Sequence, residues 1–533
     1  VSGNIAVGAL KTAGDKKDRS LLEVSEKAKG FLDRFSDPEN PPTEKHEEIK
    51  LALQDAEAKI LKYEVTQRTY KEIEDALSRK KTIEALELRR QLINRYSDLE
   101  KDSKIRAFLT QTLETERGLV QVEEIDQAAT KDERALPVPP PLSLTKHTRA
   151  SSDETASGRT VFAIAQGCCY GFDTVTGDPV WRRSIGMDTP FFPIVADTTV
   201  PGVLMFDTTY QELVLLNRVT GNLVWRLMLG EQVSGEPLVH NGQVYLPTLG
   251  NHLYKIDLQS GLATTRLTFS QPVYSPPVLT RNEAHLIVAG DQAMTYTLGV
   301  RPLECQQVSF TDQKPGSIDV PMLQLGELVL MIENDRSGKN ARAVLRVLDA
   351  TKCEEAVAER AAVRLSGIVR DRPVLRGNRL FVAAAGEQFN VFTVSDDPEK
   401  APLSPIAQPP AQSEYTGSVQ LAAGADDILW KSSDVLLRYE LTQDALKQDQ
   451  SQKFEEVGAT AQPLQNIGTT LFLGRKRQES DSVSMLMIDG ESLDAQWESV
   501  VGTGILAMVP VREGTVLALT KAGDLFQITA ANL

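Results

Sequence analysis

The sequence is poor in the residues that support disulfide frameworks and metal centres. Its 533 residues include four cysteines, too few to brace a fold of this size, so the redox compartment stays open. The five histidines follow no metal-binding spacing such as His-Glu-x-x-His, and no Cys/His cluster occurs. We therefore predict no metal site. The histidines are His46, His147, His240, His252 and His285.

Several functional signatures are also missing. No run of about 18 apolar residues occurs, which excludes a predicted transmembrane helix. The chain has neither a G-x-S-x-G nucleophile elbow nor a G-x-x-x-x-G-K-[ST] phosphate loop. Its formal net charge of -15 opposes general binding to nucleic-acid phosphates. From these absences we predict no catalytic residue, no bound cofactor and no nucleic-acid partner.

What the sequence does contain is a repeat. Three copies of one pattern occupy residues 160–181, 202–225 and 242–265. The copies read TVFAIAQGCCYGFDTVTGDPVW, GVLMFDTTYQELVLLNRVTGNLVW and GQVYLPTLGNHLYKIDLQSGLATT. A period of roughly 40–45 residues is typical of propellers and other repeat folds.

Each copy has the composition of a small antiparallel sheet. Alternating apolar and polar residues predict strands that are buried on one or both faces. A glycine turn stands between the last two runs, where a positive φ is tolerated without a Cβ clash. We therefore predict an all-β, eight-bladed β-propeller of four-stranded antiparallel blades over residues 159–533. Nine repeat starts can be argued, and we expect strands from both ends of the repeat region to complete the ring.

The pattern resembles the PQQ-type propeller repeat. The resemblance rests on Thr176-Gly177 to Trp181, on Thr220-Gly221 to Trp225, and on residues 253–261. That family includes quinoprotein dehydrogenases and the propeller lipoprotein of the bacterial outer-membrane assembly machinery. The resemblance implies the propeller fold, and it leaves both a binding and a catalytic role open.

Residues 16–135 have a different character, rich in Glu, Lys, Arg, Ala and Leu with a helical apolar period. Residues 76–113 resemble a tetratricopeptide-type helical pair, and the alternative is a plain helical hairpin or coiled coil. We predict a flexible segment over residues 1–15, an α-helical tetratricopeptide-like domain over 16–135, and a Pro/Ser-rich linker over 136–158.

Cys168-Cys169 is the sharpest local feature. Some PQQ-dependent alcohol dehydrogenases carry adjacent cysteines joined in a ring that stacks on the quinone, which makes this pair a candidate cofactor-binding site by resemblance. The pair stands elsewhere relative to the repeat, and no counterpart of the family's calcium-binding Glu, Asn and Asp set is found. The alternative is two thiols, or a strained local disulfide, in a strand turn.

Other residues have simpler interpretations. Cys305 and Cys353 are expected to be partly buried small residues. Arg475-Lys476-Arg477 is expected to be a solvated loop between strands. Trp181, Trp225 and Trp497 lie near blade ends, where we expect them to pack between neighbouring blades.

These observations favour a non-catalytic scaffold of the bacterial cell envelope that binds partner proteins through propeller faces and helical repeats. The alternatives are a PQQ-dependent quinoprotein dehydrogenase and a ligand or glycan sensor that uses the propeller funnel. We expect a periplasmic or extracytoplasmic location in a larger envelope assembly. Because the chain begins at Val1, we also expect a segment upstream that could carry a membrane anchor.

Overall fold

The computed structural model describes residues 2–35, 43–134, 142–147, 159–337, 341–385, 388–407, 419–424, 428–442, 446–454, 457–477, 482–503, 505–512, 515–520 and 525–529. The chain divides into two compact units, residues 1–119 and residues 120–533. We call the first the helical unit and the second the propeller unit. None of the described helices combines the length and the apolar character that a membrane crossing requires.

In its described residues, 2–35 and 43–119, the helical unit contains five α-helices and one 3₁₀ helix, Ser97–Lys101. Apolar residues at three- and four-residue spacing bury one side of each longer helix. One core joins the first three helices around Leu10 and Ile49, and a second joins the last three around Ile73 and Phe108. The α-helices are α1 Ser2–Lys16, α2 Ser20–Arg34, α3 Thr43–Ser78, α4 Thr82–Arg95 and α5 Ser103–Arg117.

The helical unit differs from the sequence prediction in three places. Residues 1–15 were predicted to be flexible, but Ser2–Lys16 form α1 because Ala6, Val7 and Leu10 are buried. The tetratricopeptide character is not confirmed. Helix α3 alone has 36 residues, whereas a whole tetratricopeptide repeat has about 34. The helical domain, predicted to reach residue 135, has its last helix end at Arg117, and a strand of the propeller unit follows.

The propeller unit is an eight-bladed β-propeller of antiparallel sheets. Two strands precede the first blade, β1 Gln121–Gln127 and β2 Leu142–His147. Blade 1 comprises β3 Thr160–Ala165, β4 Cys168–Asp173 and β5 Pro179–Ser184. Blade 2 comprises β6 Ile194–Val195, β7 Gly202–Asp207, β8 Glu212–Asn217 and β9 Leu223–Met228. Blade 3 comprises β10 Leu238–His240, β11 Gln243–Pro247, β12 His252–Asp257 and β13 Ala263–Thr268. Blade 4 comprises β14 Val278–Leu279, β15 His285–Ala289, β16 Met294–Val300 and β17 Leu303–Phe310.

The second half of the ring follows the same order. Blade 5 comprises β18 Leu323–Leu325, β19 Leu328–Asp335, β20 Arg342–Asp349 and β21 Ala358–Ser366. Blade 6 comprises β22 Val374–Arg376, β23 Arg379–Ala384, β24 Gln388–Val394 and β25 Leu403–Ala407. Blade 7 comprises β26 Gln420–Ala423, β27 Ile428–Ser432, β28 Val435–Leu441 and β29 Leu446–Lys453. Blade 8 comprises β30 Val457–Thr460, β31 Gln465–Ile467, β32 Thr470–Arg477, β33 Val483–Asp489 and β34 Ala495–Thr503. A separate three-stranded sheet contains β35 Ile505–Arg512, β36 Thr515–Thr520 and β37 Leu525–Thr529.

Burial explains how the strands are arranged in a blade. All six residues of β7 are buried, as expected for a central strand that is covered by neighbouring blades on both faces. The fourth strand of a blade is more exposed, and in β21 most residues are partly or fully accessible. Solvent therefore meets the ring mainly along the fourth strands, and the core lies between blades.

The ring closes between blade 8 and blade 1. Strand β2 precedes blade 1 in the chain, and it pairs with β34 along one side of blade 8. Blade 8 thus combines strands from distant parts of the chain, as a closing blade was predicted to do. The early strand is β2, however, which lies in the predicted linker 136–158 and not in the repeat region. The C-terminal strands do not take this place. Among the described residues, β35, β36 and β37 pair only with one another.

The chain that enters the propeller follows the edges of three blades. Strand β1 adds a fifth strand to blade 3 by pairing with β13. Thr130 then bridges to Arg226 of blade 2, and Glu133 pairs with Arg183 of blade 1 at 3.0 Å. We call residues 121–134 the entry strap. It ties together blades that the sequence alone places one after another.

Candidate functional site

One position recurs in the blades with a fixed register. In each blade the last two strands in chain order pair with a β-bulge. The residue just beyond this bulge faces the next blade. Trp181, Trp225 and Trp497 occupy this position in blades 1, 2 and 8. Each indole donates to a backbone carbonyl in the turn of the following blade. The bonds are Trp181 Nε1 to Arg218 O at 2.7 Å, Trp225 Nε1 to Leu258 O at 2.9 Å, and Trp497 Nε1 to Thr174 O at 3.1 Å.

A glycine in that turn receives each indole. Gly221 faces Trp181, Gly261 faces Trp225, and Gly177 faces Trp497. A Cβ built on any of these glycines would lie within 2.7 Å of the tryptophan side chain, and each glycine has a φ between +72° and +74°. No other residue fits both conditions. The predicted packing of the three tryptophans between blades is confirmed, and we call each pair a Trp–Gly latch.

Blade 3 breaks the pattern. Its residue at the latch position is Thr265, which pairs with Lys255 as Trp225 pairs with Leu215 in blade 2. The turn of blade 4 that should receive the indole contains Arg301 in place of the Thr-Gly pair. Neither half of a latch is therefore present between blades 3 and 4.

The cross-strand row that leads to the latch changes in the same way. Residues that pair directly across antiparallel strands point to one face of the sheet. In blade 2 the row towards blade 3 is Leu204, Leu215 and Trp225, and all three are buried. In blade 3 the corresponding row is Tyr245, Lys255 and Thr265. A lysine thus stands at the centre of a face that is apolar in the preceding blade.

This exchange leaves an opening of about 600 Å³ between blades 3 and 4, which we call the 3–4 cleft. Lys255, Thr264 and Tyr245 line it from blade 3, and Val300 and Arg301 line it from the blade 4 turn. Its rim contains His240, Asn241, Gln243, Glu283 and Ala284.

The charges in the 3–4 cleft are unevenly paired. Glu283 lies 3.2 Å from His240 Nε2 and accepts a hydrogen bond of 3.2 Å from Asn241. Within the described ranges, Lys255 and Arg301 have no carboxylate within ion-pair distance. The cleft therefore presents two positive charges without a counter-ion among the described residues, on a molecule whose net charge is -15.

A buried phenol lies beside these cations. Tyr245 is 1% exposed and lines the 3–4 cleft. Burial raises the pKa of Tyr245, and the positive charge of Arg301 opposes the rise. The hydroxyl is therefore neutral at pH 7 and has no hydrogen-bond partner in the described part of the chain. A phenol between two cations is suited to donate a hydrogen bond to a carboxylate.

Cys168 and Cys169 lie in β4 itself, after the turn at Gln166-Gly167. Both are free and buried, and as successive strand residues they point to opposite faces. Cys168 packs in the core shared with blade 8, and Cys169 packs in the core shared with blade 2. Burial raises the pKa of both thiols. This arrangement does not form the adjacent-cysteine ring of the dehydrogenases, and it makes both thiols poor nucleophiles.

Two further predictions have different outcomes. Cys353 is buried and Cys305 is half-buried, in agreement with the expectation. The loop predicted at Arg475-Lys476-Arg477 is wrong, because these residues end strand β32. Arg475 is fully buried and donates to the Asp434 carbonyl at 2.6 Å. Three adjacent basic residues suggest solvent exposure, but alternation along a strand sends the first of them inward.

Sequence reasoning missed the 3–4 cleft. Its residues come from five strands and three turns, and none belongs to a local motif. The available signal was the third repeat copy, which ends in Thr-Thr where the first two end in Val-Trp. The missing tryptophan indicates an open space only when the residues that face its position from the next blade are known.

Comparison with known proteins supports the repeat. The family model described as "Outer membrane protein assembly factor BamB" matches residues 165–299, about a quarter of the chain. This segment extends from blade 1 to blade 4. At a significant level, no curated protein matches the sequence.

Solved structures share the propeller architecture at low sequence identity. Dihydro-heme d1 dehydrogenase NirN, solved with its ligand DHE, has a TM-score of 0.50 and 12% identity, covering 75% of this chain and 84% of its own. BamB from Moraxella catarrhalis has a TM-score of 0.44 and 12% identity, covering 67% of this chain and 97% of its own. The computationally designed Ika8 protein has a TM-score of 0.44 and 9% identity, covering 71% and 97%. Because a dehydrogenase shares the architecture, the propeller fold alone does not decide the function.

Proposed function

We propose that this chain is a non-catalytic scaffold of the bacterial cell envelope, periplasmic or extracytoplasmic, that binds partner proteins. The observation that carries the proposal is the 3–4 cleft. It replaces an apolar contact between blades with two uncompensated cations and a buried phenol. Replacing Leu and Trp by Lys and Thr forgoes buried apolar area, so the polar row is better explained by recognition than by stability.

The chemistry of the 3–4 cleft indicates what it binds. Lys255 and Arg301 attract a carboxylate, and Tyr245 donates a hydrogen bond to it. The cleft lies between turns of neighbouring blades and is large enough for a side chain or a chain end. We infer that it receives an acidic side chain or terminal carboxylate from an extended segment of a partner protein.

Support for the compartment comes from the family model, whose description names an outer-membrane assembly factor. That role belongs to the matched family, and here it only directs the choice of extract. The helical unit offers further surface for partners. Phe31 in α2 and Phe35, the residue that follows this helix, are both exposed.

The test is site-specific photocrosslinking in the full chain. A benzophenone amino acid at Asn241, an exposed rim residue, should give a discrete protein adduct when it is irradiated with solubilised envelope. Lys255→Glu with Arg301→Glu should reduce the adduct about 10–100-fold, because the carboxylate then meets two like charges. The matched control is Lys447→Glu with Lys453→Glu, two exposed cations on β29 of blade 7, which should leave the adduct unchanged. Equal adducts in both double variants would contradict the cleft assignment.

The quinoprotein alternative makes a different prediction. Cys168 and Cys169 do not fit the ring that stacks on PQQ, because they point to opposite faces of β4. Incubation with PQQ and Ca²⁺, followed by dye reduction with alcohols or sugars, should show no turnover above buffer. Measured turnover would overturn the non-catalytic proposal.

A further inference from the structure

The junction between blades 4 and 5 brings together three donor atoms from distant parts of the sequence. His285 is the first residue of β15 in blade 4. Cys353 and Glu354 lie in the turn between β20 and β21 of blade 5. One ring nitrogen of His285, the Sγ of Cys353 and a carboxylate oxygen of Glu354 all lie within 4.8 Å of one another.

These donors do not satisfy each other as hydrogen-bond partners. The Nδ1 of His285 is buried and has no partner in the described part of the chain. The Sγ of Cys353 contacts Glu354 Oε2 only at 3.9 Å, the long end of a sulfur hydrogen bond. An orphaned buried nitrogen costs about 1–3 kcal/mol, so its retention at this position requires a reason.

The backbone holds both sides of the cluster in place. The Thr280 hydroxyl accepts from His285 N at 3.2 Å and donates to His285 O at 3.1 Å. On the blade 5 side, Gln307 of blade 4 donates to Glu355 O at 2.5 Å, at the position where other blades carry the latch tryptophan. Val357 N donates to Ser309 Oγ at 2.8 Å. The turn that carries Cys353 and Glu354 is therefore fastened to blade 4 beside the cluster.

We propose that His285, Cys353 and Glu354 bind a divalent transition-metal ion, Zn²⁺ or a close analogue, that joins blades 4 and 5. Imidazole, thiolate and carboxylate are the ligands that zinc accepts, and a thiolate disfavours Mg²⁺ and Ca²⁺. Cysteine binds as the thiolate, so its proton passes to solvent on binding. Bond lengths of about 2.0–2.3 Å place tetrahedral donors about 3.3–3.8 Å apart, so the observed cluster must contract by about 1 Å. Three protein ligands leave the fourth position open to water.

The test uses the full chain, freed of metal by a chelator and titrated with Co²⁺ and then Zn²⁺. Cobalt should bind one per chain and give a thiolate-to-cobalt charge-transfer band in the near ultraviolet. Zn²⁺ should abolish that band and raise the melting temperature by mass action. A wild-type protein that binds Co²⁺ without the band, or binds neither metal, would overturn the proposal.

Variants separate this site from adventitious binding. Cys353→Ser should remove the band, whereas Cys305→Ser, at the half-buried thiol of blade 4, should leave it intact. Because Cys353 is buried and its replacement can disturb folding, the exposed Glu354 provides the second test. Glu354→Gln should weaken Co²⁺ binding by about tenfold or more, and its neighbour Glu355→Gln should not. Equal affinities in these two glutamine variants would show that the carboxylate is not a ligand and would overturn the three-residue site.

Discussion

The seam between blades 8 and 1 and the junction between blades 3 and 4 are the same kind of contact built in opposite ways. At the seam, only β2 connects the two sheets along the chain, because the other strands of blade 8 come from the far end of the repeat region. The row towards blade 1 is Phe472, Met487 and Trp497, all buried. At the 3–4 junction the chain passes directly from blade to blade, and the corresponding row is Tyr245, Lys255 and Thr265. The tight apolar packing occurs where strands from distant parts of the chain meet.

The seam also has contacts that complete an open strand edge. Strand β3 begins blade 1 and has no strand beyond it among the described residues. Two side chains of blade 8 take that place. Gln465 accepts from Phe162 N at 3.2 Å and donates to Phe162 O at 3.0 Å, and Gln462 does the same for Ile164, with both bonds at 3.1 Å. Their amides imitate an adjoining strand and satisfy an open edge.

This contrast assigns different tasks to equivalent positions. A closed ring needs every junction to hold, but blades whose strands all follow one another in the chain tolerate a weaker junction because short connections keep them close. A binding site therefore costs least at a junction such as 3–4 and most at the seam. The predictions below test this division, beginning with the largest expected effect.

Replacing Trp497 by Ala should lower the free energy of unfolding of the propeller by about 3–5 kcal/mol. The indole is 1% exposed, packs on Gly177 and donates to the Thr174 carbonyl, and all of these contacts are lost together. Denaturant unfolding followed by far-ultraviolet circular dichroism measures the change.

The matched control is Thr265→Ala, the same register position at the 3–4 junction. Thr265 has no contact comparable to a latch, so the cost should stay below about 1 kcal/mol. If the two variants lose equal stability, the seam is not specially packed and the comparison fails.

Gln465→Leu should destabilise the propeller by about 1–3 kcal/mol. The substitution keeps the side-chain size but leaves the N–H and C=O of Phe162 without partners. The local readout is hydrogen exchange of a peptide covering β3, which should become faster than exchange of a peptide covering β8. Gln259→Leu, at an exposed turn of blade 3, should change neither quantity. Unchanged protection of β3 would show that the amide does not substitute for a strand.

The features that could be predicted from the sequence are those with a local period. Alternating strands, glycine turns and latch tryptophans repeat every forty-odd residues, so blade number and the tryptophan contacts followed from pattern alone. The seam glutamines lie about 300 positions from the strand they cap, and no local rule connects them to it. Strand β1 escaped prediction because it follows helix α5 directly in a charged segment, and only its pairing with β13 makes it a strand.

The candidate site was unpredictable for a related reason. Lys255 alternates correctly within its strand, and nothing in LYKID separates a lysine that faces solvent from one that faces a neighbouring blade. Only the register Tyr245–Lys255–Thr265 shows which face it shares. The information that defines the 3–4 cleft is therefore held in pairings between strands and between blades.

The smallest expected effect on stability comes from restoring the missing latch residue, Thr265→Trp. If the 3–4 cleft is the space that an indole fills elsewhere, the new side chain should enter it and change the free energy of unfolding by less than about 1 kcal/mol. Arg301 stands where a glycine would receive the ring, so no full latch forms and little stability is gained. The same variant should block the Asn241 photoadduct, because the indole occupies the carboxylate site. A decrease in the free energy of unfolding above about 3 kcal/mol would mean that the cleft cannot accept an indole. The two junctions would then share the same strand register but not the same space for a side chain.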